Sequence, residues 1–172
     1  MGQQLTVSLI QANLEWENAP QNRIDFEEKI TAIKEHTDVI ILPEMFTTGF
    51  AMQPKHLAET MNGNTVIWMQ QMAKNKQAAI CGSIIIIEDN NYYNRLLFVQ
   101  PNGIIQYYNK RHLFSLAGEH KHYKNDNTQV IIEYKDWRIC PLICYDLRFP
   151  VWSRNTKNYD VLLYVANWPK PR

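Results

Sequence analysis

Residues 5–42 read LTVSLIQANLEWENAPQNRIDFEEKITAIKEHTDVIIL, and the way this stretch divides sets the fold class. Residues 5–10 and 39–42 are short, β-branched apolar runs, the character of buried strands. Between them, residues 20–36 place Ile24, Phe26, Ile30 and Ile33 at near-helical spacing behind a proline suited to a helix start. Strand, helix and strand in this order make a βαβ unit, so the chain is expected to be α/β and layered rather than a helical bundle.

The pattern continues outward from this unit. Residues 65–76 carry Val66, Ile67, Met69 and Met72 behind a candidate cap, Asn64, and residues 78–88 form an unusually apolar strand. Residues 92–110 then turn at Pro101-Asn102-Gly103 between two strand-like runs, which predicts an antiparallel hairpin. Strands follow at 129–134 and 137–144 around a Lys-Asp turn. A short helical segment at 150–155 leads into a last strand at 159–166 whose continuous apolar character predicts cover on both faces. The longest stretch without clear periodicity, residues 112–128, is a candidate functional loop.

With 172 residues, 45% of them hydrophobic, the chain can bury one core of ordinary size. Eighteen basic against seventeen acidic residues leave a net charge of +1, so no basic field exists to hold nucleic acid or an anionic membrane. A small molecule or another protein is the expected partner. No run approaches the roughly 20 apolar residues of a membrane helix, and the first residues do not form a signal peptide. Cys81, Cys140 and Cys144 are odd in number and lack C-x-x-C spacing, which fits a reducing cytoplasm.

Cys144 follows the apolar strand WRICPLI and precedes Tyr-Asp-Leu-Arg-Phe-Pro, at a strand-to-turn junction. There a side chain projects from the sheet edge while the next backbone N–H, that of Tyr145, can face a developing oxyanion. A structural cysteine is the commoner case. Cys81 and Cys140 serve as internal controls: both lie inside apolar strands and read as inert core residues. A catalytic thiol needs a base and a cation. Glu44 closes the strand VIILPEMF, with Met45, Phe46 and Phe50 as apolar bulk that would desolvate it, and Lys110 ends the strand IIQYYNK. Each has a solvated strand-end charge as its plain alternative. An acid, a cation and a thiol at the ends of three separate strands nevertheless make a site if those ends share one sheet edge.

The segments LPEMFTTGF (42–50), YNKRHLF (108–114) and LICYDLRFP (142–150) resemble the three signature segments of the nitrilase superfamily of carbon–nitrogen hydrolases. The resemblance runs from the opening strand through YDVLLYVANWP, and TTGF, RHLF and AGEHKHY are similar to the bacterial omega-amidase branch. It implies a nitrilase-like αββα sandwich and a triad of Glu44, Lys110 and Cys144. Glu119 falls where many members place a second acid, with Tyr145 supplying an oxyanion N–H. Phe46 and Arg148 are candidate substrate-binding residues, Arg148 for a carboxylate, although an ion pair of Arg148 with Asp146 explains it equally well. His112, His120 and His122 do not complete a metal-ligand set, and the resembled family uses no metal or organic cofactor.

The implied activity is hydrolysis of the terminal amide of a short 2-oxo dicarboxylic acid monoamide. N-carbamoyl amidohydrolases and nitrilases share the same triad, and a binding or assembly module without turnover is the rival from another class. Family members run on well beyond this length and are expected to form homodimers. Residues 1–172 are therefore expected to be the N-terminal portion of the domain, incomplete at the C-terminus, and to associate, aggregate or act only weakly when made alone.

Overall fold

A computed structural model describes residues 4–168. Strand β1 (Val7–Leu9) leads into helix α1 (Ala19–Ala32), and β2 (Val39–Ile41) returns parallel to β1. Asn18 caps α1, its side chain accepting the Gln21 N–H at 3.2 Å, and Pro20 sits in the first turn. The helix ends four residues before the expected His36. Ile33 turns extended, and the chain leaves so that Asp38 can bind the start of β1: its N–H donates to the Thr6 carbonyl and its carboxylate accepts the Thr6 N–H, both at 2.8 Å.

Helix α2 (Asn64–Lys76) begins one residue earlier than expected, at the residue read as its cap. Asn64 is the first helical residue rather than the cap, and the Glu59 carboxylate takes the Thr65 N–H at 2.7 Å in its place. Strand β3 (Ala79–Glu88) pairs parallel with β2, then antiparallel with β4 (Asn91–Val99), which pairs with β5 (Ile105–Asn109). The hairpin at 101–103 forms as read. The tight β3–β4 turn was not read, because Asp89-Asn90 replaces the usual Asn-Gly. Both residues take positive φ, 49° and 60°, which matches the right-handed twist of the flanking strands.

A second sheet holds β6 (Ile132–Tyr134), β7 (Trp137–Ile143) and β8 (Val161–Val165), with the short helix α3 (Pro150–Ser153) between β7 and β8. The two sheets face each other through Val39, Cys81, Leu96 and Phe98 on one side and Ile132, Tyr134, Ile139 and Leu163 on the other, with the Phe98 and Tyr134 rings 5.4 Å apart. Helices α1 and α2 cover the opposite face of the first sheet with Phe26, Ile30, Met69 and Met72. Burying side chains of this size contributes about 2 kcal/mol each.

One expectation of complete burial needs correction. In β1, Val7 and Leu9 are exposed, because the strand lies at the edge of its sheet and turns one face outward. In β8, Leu162 is exposed while Leu163 and Val165 are buried, so only one face of the strand is covered by described residues. Pro169, which closes the last resembled segment, lies outside the described residues.

Candidate active site

Glu44, Lys110 and Cys144 follow β2, β5 and β7, and the fold brings all three to one edge. Glu44 stands in the turn after β2. Met45 next to it adopts φ 46°, held there by its N–H bond to the Ser83 hydroxyl at 2.9 Å, while the Phe46 N–H reaches the Ser83 carbonyl at 3.1 Å. The chain lies close over β3 because residue 82 is glycine. A Cβ there would come within 2.9 Å of the Leu42 Cβ and 3.0 Å of the Phe46 ring.

Lys110 is fully buried, not a solvated strand end. Its Nζ donates to Glu44 Oε1 at 2.8 Å and to Glu119 Oε1 and Oε2 at 3.1 and 3.0 Å. Glu119 comes from a 3-10 turn, Glu119–Lys121, within the aperiodic loop, and its Oε2 also accepts the Phe114 N–H at 2.6 Å. Asn94 of β4 donates to Glu44 Oε1 at 2.8 Å and to Glu119 Oε1 at 3.3 Å. Two acids thus share one ammonium. Burial alone would strip Lys110 of its proton, but the Glu44 and Glu119 charges outweigh it and hold the lysine charged well above its usual range. Burial, with the Glu44 charge acting in the same direction, raises Glu119 despite Lys110.

Cys144 opens a 3-10 turn, Cys144–Arg148, at φ 42°, a left-handed conformation that costs free energy in a non-glycine residue. Asp146 supports it: Oδ2 accepts the Ile143 N–H at 3.0 Å and the Tyr108 hydroxyl at 2.8 Å, and Oδ1 lies 2.9 Å from the His112 N and 2.8 Å from its Nδ1. The elbow is thereby tied to the segment that carries Lys110. The thiol interacts with the Glu44 carboxylate, and Trp168 Nε1 donates to its sulfur at 2.7 Å. Burial first, then the Glu44 charge, pushes the thiol up to about 12, with Lys110 and Trp168 pulling the other way. At neutral pH it is protonated and needs a base at the moment of attack. Cys140 is pushed up by burial to about 11, and Cys81 well above the usual thiol range.

Glu44 and Cys144 line a pocket of about 550 Å³ together with Phe50, Phe114, Tyr145 and Arg148. Phe46, expected to contact substrate, does not line it. It points to the helical side, 5.4 Å from the Phe26 ring and 5.8 Å from Trp68, because the turn at Met45 sends consecutive side chains to opposite faces. Arg148 is exposed, with its guanidinium 5.7 Å from the Trp168 ring. It makes no ion pair with Asp146, whose oxygens are taken up by Tyr108, His112 and Ile143. His112 stacks on Phe149 at 3.7 Å. Among the described residues no group of three His, Cys, Asp or Glu is arranged to hold a metal ion. Among them, too, no helix is long and apolar enough to cross a membrane.

Asn94, Ser83 and Trp168 carry no role in the sequence analysis, and Asp146 enters it only as a partner for Arg148. Asn94 offered one signal, an amide near the apolar end RLLFV of its strand, and Asp146 another, an acid two residues past the thiol.

The model of the carbon-nitrogen hydrolase family matches residues 6–171. This chain belongs to the carbon–nitrogen hydrolase family. Among carbon–nitrogen hydrolases, the omega-amidase YafV of Escherichia coli strain K12 is 48% identical over 168 residues, covering 98% of this chain and 65% of the relative. The 2-oxoglutaramate amidase of Bacillus subtilis is 33% identical, covering 97% and 66%. The crystal structure of XC1258 from Xanthomonas campestris, a CN-hydrolase superfamily protein with an arsenic adduct in its active site, superposes with a TM-score of 0.94 at 40% identity. That match covers 98% of this chain and 66% of that one. The expected nitrilase-like fold is therefore the observed one. The chain spans 65% of the length of the omega-amidases it matches.

Proposed function

We propose that this protein is a cysteine-dependent amidase that hydrolyses the terminal amide of a small 2-oxo dicarboxylic acid monoamide to the acid and ammonia. One observation carries the reading: a thiol and a carboxylate line one pocket, the carboxylate is bonded to a buried lysine, and the same pocket holds an arginine that pairs with no acid among the described residues. The relatives named omega-amidase and 2-oxoglutaramate amidase support the substrate class.

In this mechanism Glu44 takes the Cys144 proton as sulfur attacks the amide carbon. The Lys110 ammonium and the Tyr145 N–H stabilise the oxyanion, since N–H groups in the first turn of a 3-10 helix lack partners within that helix. Glu44 then gives its proton to the leaving nitrogen, ammonia departs and a thioester remains. Water, deprotonated by Glu44, adds to the thioester, and collapse releases the acid while the proton returns to sulfur. Glu119 holds Lys110 in place. Arg148 takes the distal carboxylate of the substrate, and Phe50, Phe114 and Tyr145 form the apolar walls around its short chain.

No cofactor or metal enters this chemistry. A small-molecule substrate, no nucleic acid or membrane partner, a homodimeric assembly and a reducing cytoplasm are parts of the same reading, the last motivated by three free cysteines. Ammonia release from 2-oxoglutaramate by the complete protein tests it. Turnover of this amide ahead of nitriles and N-carbamoyl amino acids is expected. Binding without ammonia release would instead identify a module that keeps the fold without the reaction.

A further inference from the structure

Asn94 stands in β4 beside both acids of the site and takes no part in the chemistry described so far. It is fully buried. Its Nδ2 donates to Glu44 Oε1 at 2.8 Å and to Glu119 Oε1 at 3.3 Å, whereas its Oδ1, equally shut off from solvent, has no hydrogen-bond partner among the described residues. A buried carbonyl without a partner is costly, and buried polar groups of this kind are uncommon. A strand position that needed only filling would carry an apolar residue, as Leu96, Leu97 and Phe98 do farther along β4. What this position uses is the donor half of the amide.

Glu44 is where the donor matters. Oε1 receives Lys110 Nζ and Asn94 Nδ2, each at 2.8 Å, while Oε2 receives one long bond, from the Asn167 N–H at 3.3 Å. Lys110 reaches its acceptors on a flexible stem and fixes a point. The amide, carried by a central strand, adds a second direction and so fixes the plane of the carboxylate. As a neutral group it also bridges two acids that would otherwise repel each other. We propose that Asn94 is a positioning residue, which holds Oε1 of Glu44 together with Lys110 and so presents Oε2 to the Cys144 thiol as the base. This rests on the reading of Glu44 as general base.

Titratable groups face Glu44 from several elements: Lys110 after β5, Glu119 and the Tyr123 phenol from the loop 112–128, and Cys144 after β7. Substitutions at Asn94 leave all of them in place. Removing a donor to a charged carboxylate raises its proton affinity, so the pH below which the base fails must rise.

The test is the pH dependence of Cys144 alkylation by iodoacetamide in the complete protein, followed by mass spectrometry of the peptide containing residue 144. It requires no knowledge of the substrate. The unsubstituted protein should show an acid limb, and Glu44→Gln should remove it. Asn94→Ala should move the limb up by about one pH unit, and Asn94→Asp, which keeps the shape but adds a charge, by more. Circular dichroism reports folding, and if Asn94→Ala fails to fold, Asn94→Asp carries the measurement. A limb that stays in place in folded Asn94 variants while Glu44→Gln abolishes it would overturn the role of Asn94 and leave the base intact. A limb that survives Glu44→Gln would remove the base itself, and the role of Asn94 with it. Loss of the fold in both Asn94 variants would make the amide structural and equally overturn the proposal.

Discussion

Asp146 on one side of Cys144, and Glu44 with Glu119 on the other, are all fully buried carboxylates, yet they are satisfied in different ways. The Asp146 oxygens are held by the Tyr108 hydroxyl, the Ile143 N–H and the backbone N–H and Nδ1 of His112, which join two sheets. Tyr108 extends the network, its oxygen accepting the Arg111 N–H and Trp152 Nε1–H, both at 3.1 Å. Glu44 and Glu119 instead divide one ammonium and one amide, so their cluster sets two acids against one cation. A saturated carboxylate has no capacity left for chemistry and acts as a staple. A cluster with an acid in excess keeps lone pairs available, which is the condition for moving a proton.

The largest expected effects lie between and beside the two centres. Cys144→Ala and Glu44→Gln should each lower ammonia release by at least about a thousandfold. Glu44→Gln should hardly change the urea unfolding midpoint, because Lys110 and Glu119 remain as a balanced pair. A large loss of stability in Glu44→Gln would erase the contrast with Asp146.

Asp146→Ala should show the reverse order of effects. It strands the Tyr108 hydroxyl, two N–H groups and a ring nitrogen, at a cost of roughly 3 kcal/mol in unfolding free energy. A variant as stable as the original would show that Asp146 is not the staple.

Glu119 sharpens the contrast through pH. Its carboxyl is raised in the folded protein above the value of about 4.5 expected when unfolded. Between those two values the folded state holds more protons, so stability falls as pH rises through the folded value. Glu119→Gln removes this slope. Urea midpoints from pH 5 to 8 should decline for the unsubstituted protein and stay flatter for the variant, which should also lose turnover as Lys110 loses its support. Equal slopes would mean that Glu119 carries no such strain.

The smallest effects belong to the other thiols. Cys140→Ala and Cys81→Ala should cost about 1 kcal/mol of stability from lost packing, with ammonia release unchanged. A thermal melt and the same assay check both, and loss of turnover in either folded variant would shift attention away from Cys144.

Much of the molecule was legible from local pattern. The βαβ opening, the hairpin at 101–103 and the placement of Glu44, Lys110 and Cys144 just beyond apolar strands follow from periodicity and turn chemistry, which act over a few residues. The limits were equally local. The expected helix 20–36 outruns the observed Ala19–Ala32 because the pull of Asp38 toward Thr6 spans 32 residues. Phe46 was assigned to the pocket because a positive φ at Met45 leaves no mark in the pattern.

By itself, then, the sequence determined which strands form and which reactive side chains stand at their ends, since backbone preference and hydrophobic alternation are written residue by residue. Tertiary structure alone decided that these ends meet. Glu44 binds Lys110 across 66 positions, Glu44 and the Asn167 N–H are 123 apart, and Tyr108 reaches Asp146 across 38. No local propensity encodes such pairs. They arise when two sheets close on a shared core and the buried polar groups left inside must find one another.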